Sequence, residues 1–379
     1  MRSDAVLPHR RSALVFVMLC ALPLSQGAAQ TGPDKRLIQK TTIAADEVPL
    51  RKLLQQLCDK HKLKLEIDSK GLADEGIADS LPVTIHVDGV TLGSALNLFL
   101  PNQGLSHHVD KGTLYIQTQG KADETLLTRT YPLSGLGLAA GDLEAFQYLL
   151  HDVGTSSAPW MEDEGVGGSV VNITPQSMTI EQSRLGHDEI ADLLQRLAAA
   201  LAGKRRPPTP IERAEDLIRK GLAKPATFPA GEMTLPELTK VLQANYKLNV
   251  WIDTTALADE GIDAEGVKLN FSGQKQALGA ALLEAFKSAR LAWLVRDELL
   301  QITTTALTNE YMVTRVYDVR RQNRPTAELA AQLENQADLG PWEDADGVGG
   351  CTTVLGPLLL VRQTVATHDK IAILLGPGQ

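Results

Sequence analysis

Few side chains in this sequence have a type and spacing that could do chemistry. His187-Asp188 and His368-Asp369 come first, because metal-dependent phosphohydrolases use such a pair; that chemistry needs further His and Asp ligands, and no other histidine recurs with them. A carboxylate near a helix N-terminus suits the helix dipole, so Asp188 and Asp369 are expected to be structural. His107-His108 lies in a stretch of alternating apolar residues, which puts the two rings on opposite faces of a strand and prevents joint chelation. Asp74-Glu75 and Asp259-Glu260 adjoin glycines, as solvated turn acids do. A GxSxG elbow, a Walker phosphate loop, a Cys-x-x-Cys pair and an HExxH helix are absent. No catalysis, metal or cofactor is expected.

Two acidic, glycine-rich loops are more distinctive: Trp160-Met161-Glu162-Asp163-Glu164-Gly165 and Trp342-Glu343-Asp344-Ala345-Asp346-Gly347, which run on to Gly168 and Gly350. Asp344, Asp346 and Gly347 hint at a calcium loop, but Leu355 stands where a bidentate Glu is required. The GxxG pattern at Gly165 to Gly168 resembles that of the RNA-binding KH module. That module needs a backbone nest open to phosphate, and acidic residues crowd both loops. Two readings remain. Either the loop is an acidic hairpin tip whose tryptophan packs locally, or the tryptophan contacts a partner, as tryptophan does in interface hot spots. On the second reading the candidate partner-binding residues are Trp160, Trp342, Gly165, Gly168, Gly347 and Gly350.

The elements that must position these loops occur twice. Leu72-Ala73-Asp74-Glu75-Gly76-Ile77 recurs letter for letter as Leu257-Ala258-Asp259-Glu260-Gly261-Ile262, an offset of 185. Thr128-Arg129-Thr130-Tyr131 returns as Thr314-Arg315-Val316-Tyr317, the tryptophan loop returns at an offset of 182, and His187-Asp188 at 181. Landmarks in one order with nearly constant offsets indicate a duplication.

Within each copy the hydrophobic period switches. Leu50, Leu53, Leu54, Leu57 and Cys58 mark one helix face; its counterpart carries Leu235, Leu238, Leu242 and Tyr246 and opens with Thr234 and Glu237 at capping-box spacing. Strict alternation follows at Leu63, Leu65, Ile67 and at Leu248, Val250, Ile252, then at Val83, Ile85, Val87 and at Val267, Leu269, Phe271. A second helix (Leu92, Ala95, Leu96, Phe99; Leu278, Ala281, Leu282, Phe286) precedes a hairpin around Asp110-Lys111-Gly112 and its counterpart. With edge strands near Thr42 to Ala44 and Thr227 to Pro229, the order is βαββαββ, and one sheet with two helices on one face would bury these stripes. A βαββα unit follows in each copy. The expected fold class is therefore α+β in two tandem copies, with boundaries at 40–120, 126–202, 226–306 and 311–376. Residues 203–225 form a proline-rich linker that leaves the angle between copies open. They include a connector helix bearing Ile211, Ala214, Leu217, Ile218 and Leu222 on one face.

Arg2, Arg10 and Arg11 ahead of an apolar run from Ala13 to Leu22, with Gly27 and Ala29 at a cleavage position, predict that residues 1–29 are a signal peptide. Their removal takes away three Arg and one Asp, so the formal charge of −9 becomes −11. A field of that sign repels nucleic acid and anionic lipid. No later stretch is long and apolar enough to span a bilayer. Cys58 and Cys351 are too few for a disulfide framework, and their spacing does not require a bridge.

The βαββαββ module, with Ile67-Asp68 and Ile252-Asp253 closing its second strand, resembles the short N-terminal domain shared by secretins and TonB-dependent transducers. The following unit, with Leu360-Val361-Arg362-Gln363-Thr364 and His368-Asp369-Lys370-Ile371, is similar to the ring-building N-terminal domain of secretins. The second copy ends four residues after Leu375, without room in this sequence for a secretin pore. The resemblance implies a non-catalytic periplasmic or extracellular interaction and assembly module that takes protein partners of the cell envelope or further copies of itself. The alternative expectation is a ligand-binding or signal-sensing protein using a cleft between the copies.

Overall fold

The computed structural model describes residues 34–155, 158–161, 165–336, 338–343 and 349–376, so the export-signal reading falls outside them. The protein is a mixed α+β structure of several small sheets. Its first half runs β1 (Lys40–Pro49), the Leu50–His61 helix, β2 (Lys64–Ile67), β3 (Pro82–Thr91), the Leu92–Phe99 helix, and the hairpin β4 (Leu105–Asp110) and β5 (Thr113–Thr118). Then come β6 (Leu127–Pro132), the Leu143–Leu149 helix with a π turn to Gly154, β7 (Ser169–Ile173), β8 (Ser177–Gln182) and the Arg184–Leu201 helix. After the Pro210–Leu222 helix, the second half runs β9 (Pro225–Ala226), β10 (Gly231–Thr234), the Leu235–Tyr246 helix, β11 (Val250–Ile252), β12 (Lys268–Phe271), β13 (Gln276–Ala277), the Leu278–Phe286 helix, β14 (Leu291–Arg296) and β15 (Leu299–Thr304). It closes with β16 (Met312–Asp318), the Thr326–Glu334 helix, β17 (Cys351–Leu355), β18 (Leu358–Thr364) and the Val365–Leu375 helix.

The single sheet expected for the βαββαββ stretch is instead two. β1 pairs antiparallel with β3, while β2, β5 and β4 form a separate sheet in which β2 runs parallel to β5. Each alternating stripe still finds its core, because Ile43 and Ile85 from one sheet, Leu114 and Ile116 from the other, and Leu54 and Leu96 from the helices share one buried cluster. The register of β1 shifts between Thr41 and Ile43 and between Ala45 and Val48. The strand expected at Thr227 to Pro229 does not form; pairing occurs on either side of it, in β9 and β10. Pro229 has no N–H to give a ladder.

The letter-for-letter repeat at 72–77 and 257–262, expected as a turn, ends a short helix. Asp68 and Asp253 cap the N-termini of Ser69–Asp74 and Thr254–Asp259. Gly76 (φ 74°) and Gly261 (φ 67°) close them with paired amide bonds: Ile77 N to Leu72 O and Gly76 N to Ala73 O, and Ile262 N to Leu257 O and Gly261 N to Ala258 O. That is the Schellman geometry, which needs a left-handed residue best supplied by glycine. Leu72 and Leu257 are fully buried.

The connector is pinned, not open in angle. Thr209 and Glu212 form a capping box on the Pro210–Leu222 helix, and Arg206 reaches both Glu212 and Asp192 of the Arg184–Leu201 helix. Leu217, expected on the buried face, points outward, while Ile218, Gly221 and Leu222 are buried.

Strands of the second half serve two cores at once. In β18, Leu359 and Val361 join a cluster with Tyr317, Trp342 and Ile371, whereas Leu358 and Leu360 join the first-half cluster of Leu150, Ile190, Leu193 and Leu197. Side chains in a strand alternate between faces, so one face packs on its own helices and the other on those of the first half. β15 and β11 behave alike: Leu300, Ile302 and Val250 stay in their own core, while Leu299 and Trp251 pack with Leu92, Leu96 and their neighbours. Arg196 donates to Thr314 O at 2.7 Å, Thr314 Oγ1 donates to Val153 O at 2.8 Å, and Asn102 donates to the buried Asp253 at 3.3 Å.

Candidate functional site

The repeated His-Asp and Thr-Arg-x-Tyr landmarks are one device. His187 Nε2 donates to Leu127 O (2.6 Å), and its Nδ1 accepts from the Tyr131 hydroxyl (2.8 Å). His368 repeats this with Val313 O (2.8 Å) and Tyr317 (2.9 Å). Each thus docks a strand onto the start of a helix. Burial pushes His187 down to about 4 and His368 to about 3, and pushes both tyrosines up to about 12, so the pairs are held neutral. Asp188 and Asp369 are not dipole caps. They are the fifth residues of the Arg184–Leu201 and Val365–Leu375 helices, beyond the first turn, and they approach Arg129 (3.5 Å) and Arg315 (3.8 Å).

The tryptophan loops are built around their closing glycines. Trp160 is 3% exposed, donates from Nε1 to Thr155 Oγ1 (2.9 Å) and stacks on His151 at 4.5 Å. Trp342 is 2% exposed, in the cluster of Leu359 and Val361. Both rings therefore pack into cores. Each tryptophan bridges a glycine, Trp160 to Gly168 and Trp342 to Gly350. The amides of Met161 and Glu343 donate to those glycine carbonyls at 2.7 Å, and the amides of Gly168 and Gly350 donate to Pro159 O and Pro341 O. A Cβ on Gly168 would lie 2.4 Å from Gln182 Nε2, and one on Gly350 2.3 Å from Arg362 O, so both positions need glycine. Gly165 is exposed, with φ 71° and open space around it, as are Met161 and Val166. Gly347 and the acids Asp344 and Asp346 lie outside the described residues.

Gln182 and Gln363 belong to no motif of chemistry, yet both hold the tryptophan loops. Each amide donates to the loop carbonyl of Pro159 (2.9 Å) or Pro341 (2.8 Å) and accepts from the next backbone N–H at 2.7 Å. Both stand near the end of a strand and are followed by Ser183 or Thr364, each the N-cap of a helix.

His107 and His108 take opposite faces as expected. Burial pushes His107 down to about 4, and His108 stacks on Tyr115 at 4.9 Å. Cys58 is buried, its thiol pushed up to about 11, and no bridge joins it to Cys351. Among the described residues no group of three or more His, Cys, Asp or Glu could hold a metal ion, and no helix is long and apolar enough to cross a membrane. Between the two halves, Leu299 and Trp251 pack in one junction and Val316, Leu358 and Leu360 in the other.

What distinguishes the halves is which sheet faces are open. On β8 the residues Ser177, Thr179 and Glu181, opposite the buried Met178, Ile180 and Gln182, are half-buried; Thr128 and Thr130 on β6 and Val171 on β7 are exposed. The positions matching Thr130, Ser177 and Thr179 at the repeat offsets are Val316, Leu358 and Leu360, all buried.

No family model matches the chain, and no curated protein matches it. Among solved structures it is similar to the GspC–GspD complex of the type II secretion system of enterotoxigenic Escherichia coli. That match has 10% identity and a TM-score of 0.16, covering 42% of this chain and 98% of the other. The N-terminal domain of the secretin XcpQ from Pseudomonas aeruginosa matches at 11% and 0.16, over 54% of this chain and 77% of the other. The Klebsiella pneumoniae type II secretion outer membrane complex of PulD, PulS and the PulC HR domain matches at 12% and 0.23, over 85% and 65%.

Proposed function

We propose that the chain is two copies of a two-domain unit and works as a non-catalytic, extracytoplasmic protein-interaction and assembly module. Its partner-binding faces are the open sheets of the first copy. The observation that carries this reading is the asymmetry of the sheets. Within one chain, helices of the first copy recognise the outer sheet faces of the second through Val316, Leu358 and Leu360, while the matching faces of the first copy stay open and polar. A polar, rigid, strand-built face suits a partner gained and lost in water better than a permanent apolar seam. The location outside the cytoplasm rests on residues 1–29, and the acidic charge disfavours nucleic acid.

Capture from envelope extract, read beside size-exclusion mass, tests the proposal. Thr130→Lys and Thr179→Lys, on exposed or half-buried positions, should abolish capture with an unchanged melting temperature, whereas Lys240→Glu on the second copy should not. A strictly monomeric protein that captures nothing contradicts the reading.

A further inference from the structure

The tip of the β14–β15 hairpin is where three parts of the chain meet. Asp297 (φ 51°) and Glu298 (φ 65°) form its two-residue turn, both left-handed although neither is glycine. The Glu298 side chain is 2% exposed; it pairs with Lys40 and accepts from the Thr91 amide at 3.4 Å, at the start of the Leu92–Phe99 helix of the first half. Asp297 accepts from Asn97 of that helix at 3.0 Å and approaches Arg296 at 3.5 Å. Glu215, on the connecting Pro210–Leu222 helix, faces the same turn. Arg219 donates to it at 3.1 Å and to Val295 O at 3.3 Å, and also approaches Asp216 at 3.5 Å. Tyr311 completes the cluster, its ring 5.3 Å from the Arg296 guanidinium carbon.

Three carboxylates, those of the partly buried Glu215 and Asp297 and the buried Glu298, thus crowd one turn, opposed by Arg219, Arg296 and the exposed Lys40. Two acids near each other in a dry site do not both ionise freely. We propose that Glu215 and Asp297 form a proton-operated latch, in which proton uptake at Glu215 tightens the seat of the hairpin tip in the first half of the chain. Burial first, and the nearby Asp297 charge, push Glu215 up to about 7 against the pull of Arg219 and of the Asp297 backbone amide; burial also raises Asp297. The sign follows from linkage. A carboxyl whose value is raised in the folded state favours that state below its ordinary value, and the benefit is lost as pH rises through about 7. The latch therefore holds in mild acid and loosens in mild alkali.

Hydrogen exchange on the full chain at pH 6 and pH 8, corrected for intrinsic rates, reads this directly. Peptides covering 291–304 and 88–97 should lose about tenfold in protection at pH 8, one unit above the titration point. Glu215→Gln should hold the high protection at both values. Asp297→Asn, which removes the neighbouring charge and keeps a side chain of the same size, should move the loosening to lower pH. Equal protection of the parent protein at the two pH values overturns the latch. So does a Glu215→Gln chain that keeps the parent pH dependence, or an Asp297→Asn chain whose midpoint does not move.

Discussion

Leu359 and Leu360 are bonded neighbours in β18, yet Leu359 packs with Trp342 and Ile371 and Leu360 with Ile190 and Leu193 from the other half of the chain. One strand thereby joins two cores, and the halves cannot separate without exposing half of it. Burial of a leucine side chain is worth roughly 1.5–3 kcal/mol, so the seam rests on a few such residues.

Exchanging Leu360 for the residue its counterpart carries should open that seam. Leu360→Thr leaves a gap and puts a hydroxyl into an apolar layer, at an expected cost of about 2–4 kcal/mol in urea unfolding. Thr179→Leu, the reverse exchange on the open face, should change stability by less than about 0.5 kcal/mol.

Acid should act through the buried histidines. His187 and His368 are held near 4 and 3, so the unfolded chain binds more protons below the ordinary histidine value of 6.5, and stability falls as pH drops from there towards 4. His187→Gln should remove on the order of 2–3 kcal/mol of that acid loss, measured as the change in unfolding free energy between pH 7 and 4.5. Glu215 has the opposite slope, so Glu215→Gln should make the decline steeper.

The closing glycines should tolerate nothing larger. Gly168→Ala and Gly350→Ala should each cost about 1–3 kcal/mol, because the added carbon meets backbone and a fixed glutamine amide. Gly165→Ala, with open space around it, should cost only about 1 kcal/mol for its left-handed backbone. Thermal unfolding of the three variants separates these cases.

Trp160→Phe keeps most of the apolar ring and loses the bond to Thr155. It should lower stability by about 1 kcal/mol and leave partner capture unchanged. Loss of capture at full stability would return the ring to the contact surface.

Much of this architecture was legible in the residues. The face Leu50, Leu53, Leu54, Leu57 and Cys58 is buried as its spacing requires, and Thr234 with Glu237 forms the capping box its spacing predicts. The covered sheet was legible in principle as well: Leu358-Leu359-Leu360-Val361 is continuously apolar where the first half alternates as Ser177-Met178-Thr179-Ile180, and a continuous run marks a strand buried on both faces. The hairpin latch was not. Asp297-Glu298 reads as a solvated turn, and the residues that bury Glu298, Lys40 and Thr91, stand more than two hundred positions away. The packing of the tryptophans was not legible, because the same amphipathic ring suits an interface and a core, and the Thr155 bond and the His151 stack of Trp160 depend on the fold.

Thiol labelling of matched positions tests the covered-and-open arrangement most directly. In a background without native cysteines, Thr179→Cys and Leu360→Cys place thiols at equivalent points on the two sheets. The first should label rapidly and the second should be protected by about a hundredfold or more, released only on unfolding. Equal labelling rates in the folded protein would contradict it.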